Sequence, residues 1–234
     1  MKIMFRAESK IDYEVCPRPV PTSQYLPEWW RKAKPYEPSA GDPDGKKMKV
    51  RGRETTAMMK KCTPMLDLLT AGYIVPLWSD VFVEQDEQSL NISWRVQKDV
   101  FQTHNPSDIA IPDGYKHQAK YMNYWLTKLP KGYSMLVIPP IGYPNNPFRV
   151  MPAIVDYDTY PISLTPPCFV KKGFNGVVER GTPMMQLIPF KRDNWESEYS
   201  YMEEDELLVY FNRDLKNTLV NNYIKNFWQK KSFK

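Results

Sequence analysis

Cysteine, histidine and glycine are scarce in this 234-residue chain, which holds 3 cysteines, 2 histidines and 10 glycines. Cys16, Cys62 and Cys168 are far apart and odd in number, which fits neither a disulfide framework nor a zinc site and points to a reducing compartment. His104 and His117 alone cannot build a histidine-rich centre, and no CxxC or HExxH spacing occurs, so no metal is implied. GxGxxG, GxxxxGKS/T and GxSxG are all absent, which removes two common nucleotide loops and the nucleophile elbow. No window approaches the about 18 apolar residues of a membrane span. The amino end MKIMFRAESKIDYEV carries charges where a signal peptide needs an apolar run, so export is not expected.

Proline and aromatics are abundant instead: 22 Pro, 7 Trp, 15 Tyr and 10 Phe within a chain that is 42% hydrophobic, enough for a real core. Proline cannot donate a ladder hydrogen bond and breaks helix interiors, so the composition predicts many short strands joined by rigid turns. The expected fold class is α+β, mainly β: a sandwich or β-clip/jelly-roll-like core of short antiparallel strands, with two short helices in the amino half and a long carboxyl-terminal amphipathic helix. One domain over residues 1–234 is expected, with a strand, short helices and a basic loop in 1–72, the β core in 73–195 and the helix in 203–231. A net charge of +5 does not by itself argue for nucleic acid. The run KKMKVRGR is sharper. Its Lys46, Lys47, Lys49, Arg51 and Arg53 are the candidate polyanion contacts, weighed against a solvated basic loop.

Along the chain, KIMFRAE reads as a strand, and LPEWWRKAKP as a short helix in which Trp29 and Trp30 cannot both face inward. Thr63, Pro64 and Gly72 bracket a second helix. Val81 and Val83, then Leu90, Ile92, Trp94 and Val96, recur with period two on either side of DEQS, which predicts a hairpin. The polar stretch from Phe101 to Lys120, with both histidines, reads as a long loop. Short strands resume at Tyr121. From Leu207 the period changes: Leu207, Phe211, Leu215, Leu219, Tyr223 and Phe227 form a stripe expected to dock on the protein's own sheet, with self-association as the alternative.

The most informative stretch runs from Val155 to Phe190. If VDYD stays extended, Asp156 and Asp158 project to one face around Tyr157, and two like charges there either raise one carboxyl pKa or hold a cation. The alternative is that each caps a turn. Gln186 stands among the apolar strand residues of PMMQLIPF and needs partners for its amide if buried, whether main chain or ligand.

VDYDTY followed by GTPMMQLI resembles the second half of the trimeric dUTPase family. That resemblance implies a β-clip domain, Asp156 as the base that activates water, Tyr157 at the pyrimidine pocket and Gln186 as the glutamine of the later motif. Asp156 and Asp158 are the catalytic candidates on that reading, Tyr157 and Gln186 the ligand-binding ones, and magnesium the cofactor it would bring. The family's phosphate-binding motif and glycine-rich tail have no counterpart here, and Pro161 follows Tyr160 where an arginine would stand. A longer resemblance, carried by PTSQYLPEWWRK, KKCTPMLDLLTAGYIVPLWSDV, LPKGYSMLVIPP and ERGTPMMQLIPFKRDNWE, is to an uncharacterised family encoded by tailed phages. It implies a viral origin, in host cytoplasm or virion. The leading expectation is therefore a non-enzymatic phage protein with protein partners, including copies of itself. A nucleotide-binding protein or hydrolase and a nucleic-acid binder are the alternatives.

Overall fold

Several strands begin or end at proline. Pro76 closes the strand Tyr73–Pro76, Pro139 and Pro140 follow Tyr133–Ile138, and Pro183 opens Pro183–Lys191, where a missing N–H costs least. The computed structural model describes residues 1–35, 49–50, 53–54, 59–104, 111–220 and 222–234. It is an α+β fold dominated by antiparallel sheets, with a few short helices and one longer helix. The chain divides into two compact units: Met1–Tyr25, Thr70–Arg192 and Phe233–Lys234 form one, Leu26–Leu69 and Asp193–Ser232 the other.

The first unit is built around a five-stranded sheet in the order Ala153–Val155, Tyr133–Ile138, Pro183–Lys191, Tyr73–Pro76 and Val20–Pro21. Its middle strand begins PMMQL, buried at all five of these positions, because a central strand covered on both faces needs no polar alternation. A four-stranded sheet orders Phe148–Val150, Pro167–Lys171, Tyr115–Tyr121 and Phe101–Thr103. A small sheet orders Gly176–Val178, Val81–Gln85 and Leu90–Ser93, and another pairs Met4–Ala7, Trp125–Lys128 and Ile162–Ser163. The hairpin at DEQS is present, with Val83 opposite Ile92.

The Phe101–Lys120 stretch is not a long loop. Phe101–Thr103 and Tyr115–Tyr121 pair with each other, and Tyr115–Tyr121 pairs with Pro167–Lys171 on its other side. Its residues Tyr115 to Gln118 are half-buried: long polar side chains cover the sheet with their stems, so the apolar alternation that marks a strand is missing. Aromatics fill the core and put their polar tips on main chain. Trp78 Nε1 donates to Met122 O at 3.0 Å, Tyr121 Oη to Pro76 O at 2.9 Å and Trp125 Nε1 to Pro17 O at 2.9 Å. Burying each such ring contributes on the order of 2 kcal/mol, kept because the polar atom is not orphaned. Helix α1 (Lys10–Val15) is capped by Ser9, whose Oγ accepts from Asp12 N at 3.1 Å. Asp12 is buried and held by Lys98 Nζ at 2.6 Å.

The second unit carries helices α2 (Glu28–Lys32), α3 (Thr63–Leu69), α4 (Glu204–Val220) and α5 (Asn222–Asn226). Of the tryptophan pair, Trp30 is buried and Trp29 exposed, edge to face with centroids 5.7 Å apart. Asp67 of α3 accepts Trp228 Nε1 at 3.0 Å and Lys231 Nζ at 2.6 Å, which ties that helix to the end of the chain. The carboxyl-terminal helical residues described are Glu204–Val220 and Asn222–Asn226, so the helix ends short of the expected 231. Of its described stripe, Leu207, Leu208, Phe211, Ile224 and Phe227 are exposed and Tyr223 is half-buried. Period-four spacing fixes which residues share a face and is silent about what covers them.

Candidate functional site

Asp156 and Asp158 do not lie on an extended run. The strand Ala153–Val155 stops one residue earlier, and the chain turns: Thr159 N and Tyr160 N donate to Asp156 O at 3.1 and 2.9 Å. Tyr157 points inward and is buried, which drives its phenol pKa far above the usual value. Its main-chain oxygen accepts Leu129 N at 3.3 Å, so this residue seats the turn on the core.

Both carboxylates converge on Arg192, the residue after the strand Pro183–Lys191. Arg192 Nη1 lies 2.9 Å from Asp158 Oδ1 and Nη2 lies 2.5 Å from Oδ2, a fork-to-fork pair. Asp158 Oδ2 also accepts Gly132 N at 2.8 Å. Asp156 Oδ1 accepts Ser134 Oγ at 2.5 Å and Arg192 Nη1 at 3.1 Å. The same guanidinium reaches Tyr133 O at 3.1 Å, while Arg192 N donates to Gly132 O at 2.9 Å. Three segments are thereby pinned together: the turn before Tyr133, the turn after Val155 and the end of the long strand.

The electrostatics follow from that geometry. Hydrogen bonding to Arg192, assisted by Gly132 N and by the guanidinium charge, overcomes burial and holds the Asp158 carboxyl at about 2. The Arg192 guanidinium is raised in turn by the same pair. A carboxylate this acidic, with both oxygens already accepting, is a poor proton acceptor near neutral pH. The repulsion expected between two facing aspartates is cancelled by the cation between them. Among the described residues, no group of three or more His, Cys, Asp or Glu side chains is arranged to hold a metal ion.

Gln186 lies elsewhere, within the strand Pro183–Lys191 and six residues before Arg192. It is fully buried; its Nε2 donates to Ala71 O at 2.9 Å and its Oε1 accepts Ile141 N at 3.1 Å. Thr22 Oγ1 shares Ala71 O at 2.8 Å, so the glutamine joins two connecting segments through their main chains. Asp156, Tyr157 and Asp158 are brought together at one turn, and Gln186 is not brought to them.

The basic candidates Lys46, Lys47 and Arg51 lie outside the described residues. Lys49 and Arg53 are described in backbone only, in a short ladder that pairs Lys49 with Glu54 and Val50 with Arg53. Of the stretch expected as a loop, only Lys49, Val50 and Arg53 are described, and they are paired. His117 sits on the strand Tyr115–Tyr121 with Nε2 2.9 Å from Asp86 O. Burial pushes the Cys16 thiol to about 11 and the Cys168 thiol to about 12, which removes both as nucleophiles near neutral pH.

The expectations from sequence had no place for Arg192. Two acids that need a cation and a basic KR pair closing the next long strand were the available signal. They also omitted the segment that Arg192 introduces: residues 193–203 have no helix or ladder, and Trp195, Tyr199 and Tyr201 stand 91%, 90% and 83% exposed. No protein-family model matches the chain, and no curated protein matches it in sequence.

Proposed function

We propose that this is a non-enzymatic, phage-encoded structural, assembly or host-directed binding protein that makes its contacts through residues 193–211. The observation that carries this reading is the density of exposed apolar side chains there. Trp195, Tyr199, Tyr201 and Met202 are followed on α4 by Leu207, Leu208, Val209, Tyr210 and Phe211, all open to solvent. Exposed apolar runs of this kind mark contact surfaces, and Trp and Tyr are the residues most enriched at binding hot spots. On the same reading the first unit is a sandwich or β-clip-like subunit fold whose rigidity suits packing against neighbours. No helix among the described residues is long and apolar enough to cross a membrane.

The alternative of a nucleotide-binding protein or hydrolase draws no support from Asp158, whose two oxygens are taken by Arg192 and Gly132 N, and Asp156, partly exposed, is bonded through Oδ1 to Ser134 and Arg192. The test of the leading reading is mass spectrometry of purified particles and of assembly intermediates from infected cells, with affinity capture of host proteins in parallel. Recovery in any of the three supports it. A protein abundant in the lysate yet absent from all three contradicts it.

A further inference from the structure

Two features of the chain are chemically complementary. The first is the arm. From Trp195 to Met202 the sequence alternates, so on an extended backbone Trp195, Tyr199 and Tyr201 share one side while Glu196 and Glu198 share the other. Residues 193–212 hold seven carboxylates and no basic side chain; with the chain at +5 overall, that stretch at −7 leaves +12 on the remainder.

The second is a groove of about 670 Å³ on the small sheet of the first unit. Val81 and Val83 of that sheet face the core, and the row running across its outward face pairs Val177 with Phe82 and Phe82 with Ser93. Phe82 and Val177 are exposed there, beside Trp94 and exposed Val96. An outward sheet face is ordinarily polar, so an apolar row on it requires a reason. Arg95 stands on the wall of the groove with no carboxylate partner among the described residues. The groove's one acid, Asp80, is engaged through Oδ1 by Arg180 N at 2.6 Å.

We propose that this groove is the docking site for the aromatic arm of a second copy of the same chain. Trp195, Tyr199 and Tyr201 supply the aromatic face that Phe82, Trp94, Val96 and Val177 would cover, and Glu196 and Glu198 supply the charge that Arg95 lacks. Opposite net charges on arm and remainder draw the copies together in this sense and oppose arm-to-arm pairing. The contact is head-to-tail: each copy offers one arm and one groove, so assembly continues to a closed ring or an open chain. This inference rests on the reading of the chain as a protein that works through protein contacts.

The experiment is sedimentation velocity of the full chain over a dilution series, with three variants. Wild type is expected to self-associate. W195A/Y199A on the arm and R95E on the groove are each expected to weaken association about 10-fold or more, with melting temperature unchanged because all three side chains are exposed. E196K/E198K combined with R95E is expected to restore it. A monomer at every concentration overturns the inference, as does association that is insensitive to R95E or a charge reversal that restores nothing. Each of those results leaves the broader binding reading to be judged by the particle, intermediate and host-capture measurements, so the two fail separately.

Discussion

Arg192 and Asp158 lie 34 residues apart in sequence and meet guanidinium to carboxylate, with Nη1 2.9 Å from Oδ1 and Nη2 2.5 Å from Oδ2. Asp158 is almost wholly covered, whereas the Asp156 side chain is 57% exposed. The pair joins the end of the Thr70–Arg192 segment to the turn that follows Val155.

Asp158→Asn removes the charge of the fork-to-fork pair, while Asp156→Asn weakens a partly exposed contact. The expected order in chemical denaturation is a clear loss for Asp158→Asn and a small one for Asp156→Asn. Arg192→Lys is expected to resemble Asp158→Asn, since an ammonium cannot span both carboxylate oxygens. Equal stability of all three variants and wild type would contradict the clamp.

The same pair predicts an acid limb. The Asp158 carboxyl is held at about 2 in the folded chain against an ordinary 3.8. As pH falls the unfolded state takes up this proton first, so the stabilisation is complete above the ordinary value and is lost between about 4 and about 2. Asp12 adds in the same direction: burial would raise its pKa, but hydrogen bonds from Lys98 and Ser9 and the Lys98 charge lower it. Melting temperature against pH should fall in this window for wild type and fall less for Asp158→Asn.

Gln186→Leu keeps the volume and deletes both amide bonds, leaving Ile141 N without its acceptor. A cost of about 1–3 kcal/mol is expected from one buried unsatisfied donor. Urea denaturation reads it directly. An unchanged midpoint would mean that the glutamine is not holding these segments together.

Gly72 adopts φ +71°, and a Cβ there would lie 1.9 Å from Leu187 O. Gly72→Ala is therefore expected to cost at least about 2 kcal/mol, since backbone strain and a clash with a central strand act together. Soluble yield and thermal midpoint check it; wild-type values would contradict the close approach.

Local chemistry carried much of this fold into the sequence. The Val81/Val83 and Leu90/Ile92 alternation gave the hairpin, Thr63 and Gly72 bracketed α3, and the single buried member of the Trp29/Trp30 pair followed from helix geometry. Features decided by distant partners were not legible. The strand Tyr115–Tyr121 hides its period behind polar side chains, and the order of strands in each sheet depends on pairings remote in sequence. Asp156 and Asp158 were readable as a pair that needs a cation. That the cation is Arg192 depends on the register that sets Tyr133 opposite Lys191, which no local pattern encodes.

A nucleotide panel with magnesium, run as a thermal-shift and turnover assay on wild type and Asp156→Asn, tests most directly whether this cluster holds the fold or performs chemistry. A clamp predicts no nucleotide-dependent rise in melting temperature and no pyrophosphate release from either protein. A rise or turnover in wild type that Asp156→Asn abolishes would contradict it.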